Sequence, residues 1–184
     1  IHKRGEVSLA TRKRILAIID ELNYQPNVLA STLASKKVYH FAVLIPTGSK
    51  ENPYWLDPLK GVQRAAGELS SYGVELDIHT YLPSSTSDFR KKGKNILESK
   101  PDALLIAPVF YSESKKFLKN CESQNLPIVF IDAQMDYSAA LGFIGQNACQ
   151  SGHVAGRLLG IGNKPDAEYL VFNVAGDKDQ LYHF

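Results

Sequence analysis

The sequence predicts an α/β fold, a doubly wound parallel sheet with helices on both faces, preceded by a partial helical head. Three observations predict it. From Val38 onward, short apolar runs alternate with longer amphipathic segments, the strand-and-helix grammar of a parallel sheet. The runs are nearly continuous in apolar residues rather than alternating, as strands buried on both faces must be. The charge is also split: residues 1–40 hold seven basic and three acidic residues, whereas residues 41–184 hold 14 and 16. A basic head on a slightly acidic body points either to an anionic partner or to a solvated helix face.

Taken in order, the first element is a helix over residues 9–22. Ser8 can cap it, and Ile15, Ile18 or Ile19, and Leu22 recur at helical spacing. Pro26 ends the segment by biasing Gln25 away from helix, and Asn27 then starts a second helix over 28–34 whose Ala30, Leu33 and Ala34 share a face. Seven residues cannot hold a helix alone in water, so this one needs a partner surface to form. The strands follow as the runs 41–45, 74–78, 103–109, 128–131 and 169–174, with helices over 56–71, 87–99, 112–124 and 146–159 in the gaps. Right-handed crossovers give the strand order 2-1-3-4-5, with the first two strands parallel.

In such a sheet, ligand chemistry belongs in the loops after the carboxyl ends of the strands, residues 46–55, 108–112 and 132–136. None carries a Gly-rich dinucleotide fingerprint or a phosphate loop, and no Gly-x-Ser-x-Gly elbow surrounds Ser84 to Ser87. No enzyme activity and no cofactor are therefore expected. The first loop carries Asn52-Pro53-Tyr54-Trp55, which holds the single Trp of the chain. Rings with polar tips suit flat, partly apolar ligands such as sugars or purines; alternatively Trp55 packs the start of the next helix. His40, His79, His153 and His183 are scattered without metal-ligand spacing, so no metal is expected.

Composition excludes other classes. With 44% hydrophobic and 22% charged residues over 184 positions, the chain is neither disordered nor fibrous and can bury one sizeable core. Its longest apolar runs fall far short of the roughly 20 residues of a membrane helix. No secretory signal is visible at Ile1 to Gly5, and Cys121 and Cys149 form no disulfide framework, so a cytoplasmic setting is expected.

The string from Val7 to Arg12, and then Leu22-Asn23-Tyr24-Gln25-Pro26-Asn27 leading to Ala30 and Leu33, resembles the lactose-repressor (LacI/GalR) family of transcription regulators. It matches the third helix of that family's DNA-binding headpiece followed by its hinge helix. The remainder resembles the family's effector domain, of periplasmic sugar-binding-protein type, with Phe130-Ile131-Asp132 and Ile144-Gly145-Gln146-Asn147 at the matching strand ends. The resemblance implies a partial headpiece and hinge in 1–37, an N-terminal effector subdomain in 38–162 and the start of a C-terminal subdomain in 163–184. It further implies that two headpiece helices, including the recognition helix, lie upstream of this chain, and that most of the second subdomain lies downstream.

The implied function is sequence-specific DNA binding by a homodimeric regulator, a repressor by analogy, under control of a small-molecule effector such as a sugar. The alternatives are a sugar-binding protein without DNA binding, which would have no use for the basic head, and an α/β enzyme. By position, Leu33 is the hinge leucine that wedges into the operator minor groove, with Ala30 and Ala34 small enough for close approach. Ordinary helix packing is the other reading of Leu33. Ser8, Thr11 and Asn27 match phosphate-contacting positions, and Ser31 stands where the family often has Arg or Gln. On the effector side, Asn52, Tyr54 and Trp55 match the aromatic loop and Asp132 the strand-end acid. The acid's usual Arg partner is Ala133 here, and the turn acid is Asn147. Gln180, just after the expected last strand, is expected to face the cleft from the second subdomain.

Overall fold

The computed structural model describes residues 8–22, 38–50, 53–161 and 167–170. By proximity the chain divides into two units, residues 1–37 and 38–184. In the first, α1 spans Leu9–Glu21. Ser8 begins it as predicted: its hydroxyl accepts the Thr11 N–H at 3.2 Å and meets the Thr11 hydroxyl at 2.8 Å. No α1 side chain is buried. The hinge positions Asn27, Ala30, Ser31, Leu33 and Ala34 lie outside the described residues.

The second unit is built on a five-stranded sheet in the order β2-β1-β3-β4-β5, every neighbouring pair parallel. The strands are β1 (Tyr39–Pro46), β2 (Val74–Tyr81), β3 (Ala103–Ile106), β4 (Ile128–Ile131) and β5 (Ala140–Ile144). Between and after them run α2 (Leu56–Ser70), α3 (Thr86–Ser99), α4 (Tyr111–Ser123) and α5 (Ala148–Gly160). β1, paired with β2 on one side and β3 on the other, is fully buried from Ala42 to Ile45, because both its edges and both its faces are covered. Register sets Leu44, Leu104 and Ile106 with Ile128 and Phe130 on the face that α3 and α4 seal. The aromatic rings of Tyr81, Phe89, Phe110 and Phe117 meet there at 5.0 to 5.9 Å, mostly edge to face.

The predicted order 2-1-3-4 holds for the first four strands, but the fifth strand is not the predicted one. It is Ala140–Ile144 rather than 169–174; Tyr169 and Leu170 are not in a strand, and 171–174 lie outside the described residues. Among the described residues it is an edge strand with one neighbour, and its Gly142 and half-exposed side chains break up the apolar signal. β3 is also shorter than its apolar run. It stops at Ile106 because Pro108 has no N–H for the ladder, and the Val109 N–H turns back to the Ala107 carbonyl at 3.0 Å. The last helix begins at Ala148 rather than 146, since Asn147 caps it.

Candidate effector site

The carboxyl ends of the strands are fastened together below the loops that follow them. The buried Tyr81 hydroxyl, at the end of β2, donates to the Ala107 carbonyl at 2.7 Å, and Thr47 N–H donates to the Tyr81 carbonyl at 2.8 Å. Burial pushes the Tyr81 phenol far up, so it stays a donor. Ala107 N–H in turn donates to the Leu44 carbonyl at 2.9 Å. The ends of β1, β2 and β3 thus form a fixed floor, with polar groups paired and apolar side chains below.

Asp132 follows β4 directly and is held in an uncommon conformation. Its φ is 66°, its N–H donates to the Ile144 carbonyl at 2.8 Å, and Ala133 N–H returns to the Ile131 carbonyl at 2.8 Å. A hydrogen bond two residues back around a residue of positive φ is the γ-turn arrangement, costly for a residue other than glycine. Such strain persists only where the surroundings over-determine it, and it sets the carboxylate at the strand end. Ala133 is 1% exposed, so the position where the family has Arg points into packing here.

Tyr54 reaches this carboxylate from the loop after β1. Its hydroxyl donates to Asp132 Oδ1, joining two loops that are 78 residues apart in sequence. The phenol is pushed up to about 12, chiefly by that hydrogen bond, then by burial and by the charge of Asp132. The Tyr54 ring stands edge-on to Trp55, with centroids 5.5 Å apart and planes at 81°. Tyr54 is half exposed, whereas Trp55 is 6% exposed and sits in the core at the start of α2. Trp55 therefore packs the helix start and braces Tyr54, and of the two rings only Tyr54 is open to solvent.

Of the other expected positions, Asn147 lies at the end of β5 as the cap of α5. Its Oδ1 accepts the Gln150 N–H at 2.9 Å. Asn52 and Gln180 lie outside the described residues. One position that sequence reasoning missed is Gly48, in the loop after β1: a Cβ there would lie 2.7 Å from the Leu56 nitrogen, so only glycine lets the loop fold down on α2. Its signal was a lone Gly within a strand-end loop. Among the described residues, no three His, Cys, Asp or Glu side chains are placed to hold a metal ion, and no helix is long and apolar enough to cross a membrane.

A carboxylate and an exposed ring, both fixed above a rigid floor, can accept hydrogen bonds from hydroxyl groups and cover the apolar face of a small ring. Comparison with known proteins bears on this. Residues 41–183 match the model of the periplasmic binding protein domain. The HTH-type transcriptional regulator DegA of Bacillus subtilis is 27% identical over 135 residues, which is 71% of this chain and 37% of DegA. Among solved structures, a protein of Bacteroides fragilis described as a LacI transcriptional regulator is 32% identical with a TM-score of 0.59, over 67% of this chain and 42% of that one. GanP, a glucose-galactose binding protein from Geobacillus stearothermophilus, is 28% identical with a TM-score of 0.56, over 67% and 42% respectively. The chain spans less than half the length of the relatives it matches. The resemblance to LacI/GalR regulators read from the sequence is met by relatives that carry regulator names.

Proposed function

The chain belongs to the periplasmic binding protein domain family, and from that premise we propose that it serves a LacI/GalR-type transcriptional regulator. In this reading a cytoplasmic homodimer represses transcription from operator DNA and responds to a small effector, a sugar or related metabolite. The observation that carries the effector side is the Tyr54–Asp132 pair, which links the ends of β1 and β4 at the loops where ligands of parallel sheets bind. Asp132 accepts effector hydroxyls, Tyr54 covers one face of the ring and Trp55 braces Tyr54. Asn52, Asn147 and Gln180 complete the contact set. Support for the DNA side is the basic head and the capped α1, with Ser8 and Thr11 exposed at its start for phosphate contact, joined by Asn27. Ala30, Ser31, Leu33 and Ala34 form the hinge face, with Leu33 as the minor-groove wedge.

A mobility-shift titration of the intact regulator on the promoter of its own operon, with and without a panel of pentoses and hexoses, tests this. One sugar should release the DNA. Asp132→Ala should abolish that release while leaving operator affinity intact, and Leu33→Ala should weaken operator binding by several kcal/mol while sparing random DNA. Release by the sugar that is unchanged in Asp132→Ala would remove Asp132 from the site. A second reading, a sugar-binding protein that never meets DNA, draws on the likeness to GanP. It predicts sugar affinity with no shift on any duplex.

A further inference from the structure

Away from the strand ends, α3 and α4 pack against each other and enclose between them a cavity of about 280 Å³ open to solvent. Its floor is Phe89, Leu97 and Phe117, and Arg90, Lys94 and Lys116 stand around its rim. Close approach of the helices shapes it. At Gly93 an added Cβ would lie 2.9 Å from the Phe117 ring. The rim acid, Glu113, is 12% exposed and already neutralised by Lys116 at 2.9 Å and Arg90 at 3.7 Å, and Lys94 faces Glu98 at 3.7 Å in an exposed pair that a partner's carboxylate can join or displace.

The charge around this groove is lopsided. Of the 14 basic residues in positions 41–184, seven lie on these two helices (Arg90, Lys91, Lys92, Lys94, Lys115, Lys116 and Lys119), against four acidic ones there. The rest of the body therefore carries the opposite balance. A small ligand would use only the groove, whereas Lys91, Lys115 and Lys119 lie on the same two helices outside its lining. A second copy of the chain docking face to face would bring like charges together. Nucleic acid fits poorly, since phosphates leave the aromatic floor unfilled.

We infer that the α3–α4 face is a docking surface for an acidic segment of a partner protein, which inserts one large apolar side chain between the helices and sets carboxylates against Lys94, Lys116 and their neighbours. An apolar anchor in a pocket supplies most of the energy, while surrounding charges select the partner and speed its approach. The surface is separate from the Tyr54–Asp132 site and does not depend on its assignment.

The test is differential selection of a random twelve-residue peptide library displayed on phage. The full chain is the bait, and the Lys94→Glu/Lys116→Glu variant is the counter-bait, its fold checked by thermal melting. Both lysines are solvent-exposed and Arg90 still faces Glu113 at 3.7 Å, so the variant should keep its fold; Lys94→Gln/Lys116→Gln, which sets no second acid beside Glu113, replaces it as counter-bait if its melt is lowered. Enriched peptides should be acidic and contain Phe, Trp or Leu. A labelled selected peptide should bind the double variant at least about tenfold more weakly, and Lys60→Glu on α2 should change nothing. Replacing the peptide's apolar residue by Ser should weaken binding by a similar factor. No enrichment over the counter-bait, peptides without acidic residues, or indifference to the Ser replacement each overturn the inference. So does displacement of the peptide by a random DNA duplex, which would show a face that reads phosphates.

Discussion

α4 and α5 are both thirteen residues long, both amphipathic in sequence and both placed just after the carboxyl end of a strand, yet they live in different environments. α4 buries Phe117, Leu118 and Cys121 against the sheet and against α3. α5 buries nothing among the described residues, and Val154, Leu158 and Leu159 are 51%, 64% and 47% exposed. β5, from which it leaves, is itself an exposed edge, with Leu141 and Ile144 open to solvent. Apolar spacing dictates that a helix forms and which stripe it presents. What the stripe is worth depends on the surface that meets it.

The largest expected effect is in the core. Phe117→Ala removes a buried ring from the aromatic cluster and should cost about 3–5 kcal/mol, whereas Leu158→Ala should stay within about 0.5 kcal/mol. Urea unfolding of the two variants compares them directly. Equal losses would break the contrast and place Leu158 in a packed interface.

A change of sign is expected at the next level. Gly93→Ala would drive a methyl group into the Phe117 ring and should cost about 1–3 kcal/mol. Gly156→Ala on α5 meets nothing within 4 Å, so the gain in helix propensity should stabilise that helix by about 0.4–1 kcal/mol. If both alanines destabilise, α5 is pressed against something at Gly156.

The same contrast explains what the sequence made legible. β1 and β4 are read easily because they are apolar along their length, with Pro46 and Pro127 marking an end of each; β2 alternates apolar and polar residues and is marked by Gly73 at its start. β5 is not read easily, because an edge strand beside an unsealed helix needs no continuous apolar run; Gly142 and Leu141 are both exposed. In the site, Tyr54 and Asp132 are recognisable singly from their loops. Their mutual hydrogen bond is not, since it requires the order that places β4 two strands from β1. Nor does sequence show that Trp55 turns inward, because an aromatic at a helix start serves packing and binding alike. The positive φ of Asp132 escapes it too, being imposed by the pairing with Ile144.

The two cysteines sharpen the comparison by chemistry. Cys121 on α4 is fully buried, and burial pushes its thiol from 9.0 up to about 12. Cys149 on α5 is exposed. A thiol reagent should therefore label Cys149 in the native protein and Cys121 only on unfolding. The pH dependence has a definite sign. An acid whose folded pKa is raised releases its proton more readily when unfolded, so its contribution is intact below pH 9 and is lost as pH rises towards about 12. Tyr54 adds to the loss between 10 and about 12. Cys121→Ala should flatten the alkaline limb of the stability curve.

The smallest effect isolates how each helix is held. Asn147 caps α5 through the Gln150 N–H at 2.9 Å, and Ser85 caps α3 through the Asp88 N–H at 3.2 Å. Each cap is worth about 1 kcal/mol to its own first turn. α3 is fastened to the core by Phe89, Gly93 and Ile96, so its first turn cannot open without disturbing that packing. Ser85→Ala should therefore lower the global urea midpoint. α5 has no such anchor among the described residues, and Asn147→Ala should leave the midpoint in place. Its cost should appear locally, as amide exchange at Gln150 and Ser151 accelerated about fivefold, the equivalent of roughly 1 kcal/mol. Asn147→Asp keeps the acceptor and adds a negative charge at the positive end of the helix, so it should restore or exceed the parent protection. If Asn147→Ala instead shifts the global midpoint as Ser85→Ala does, α5 folds in one cooperative unit with the sheet, and the distinction between the two helices is one of exposure alone.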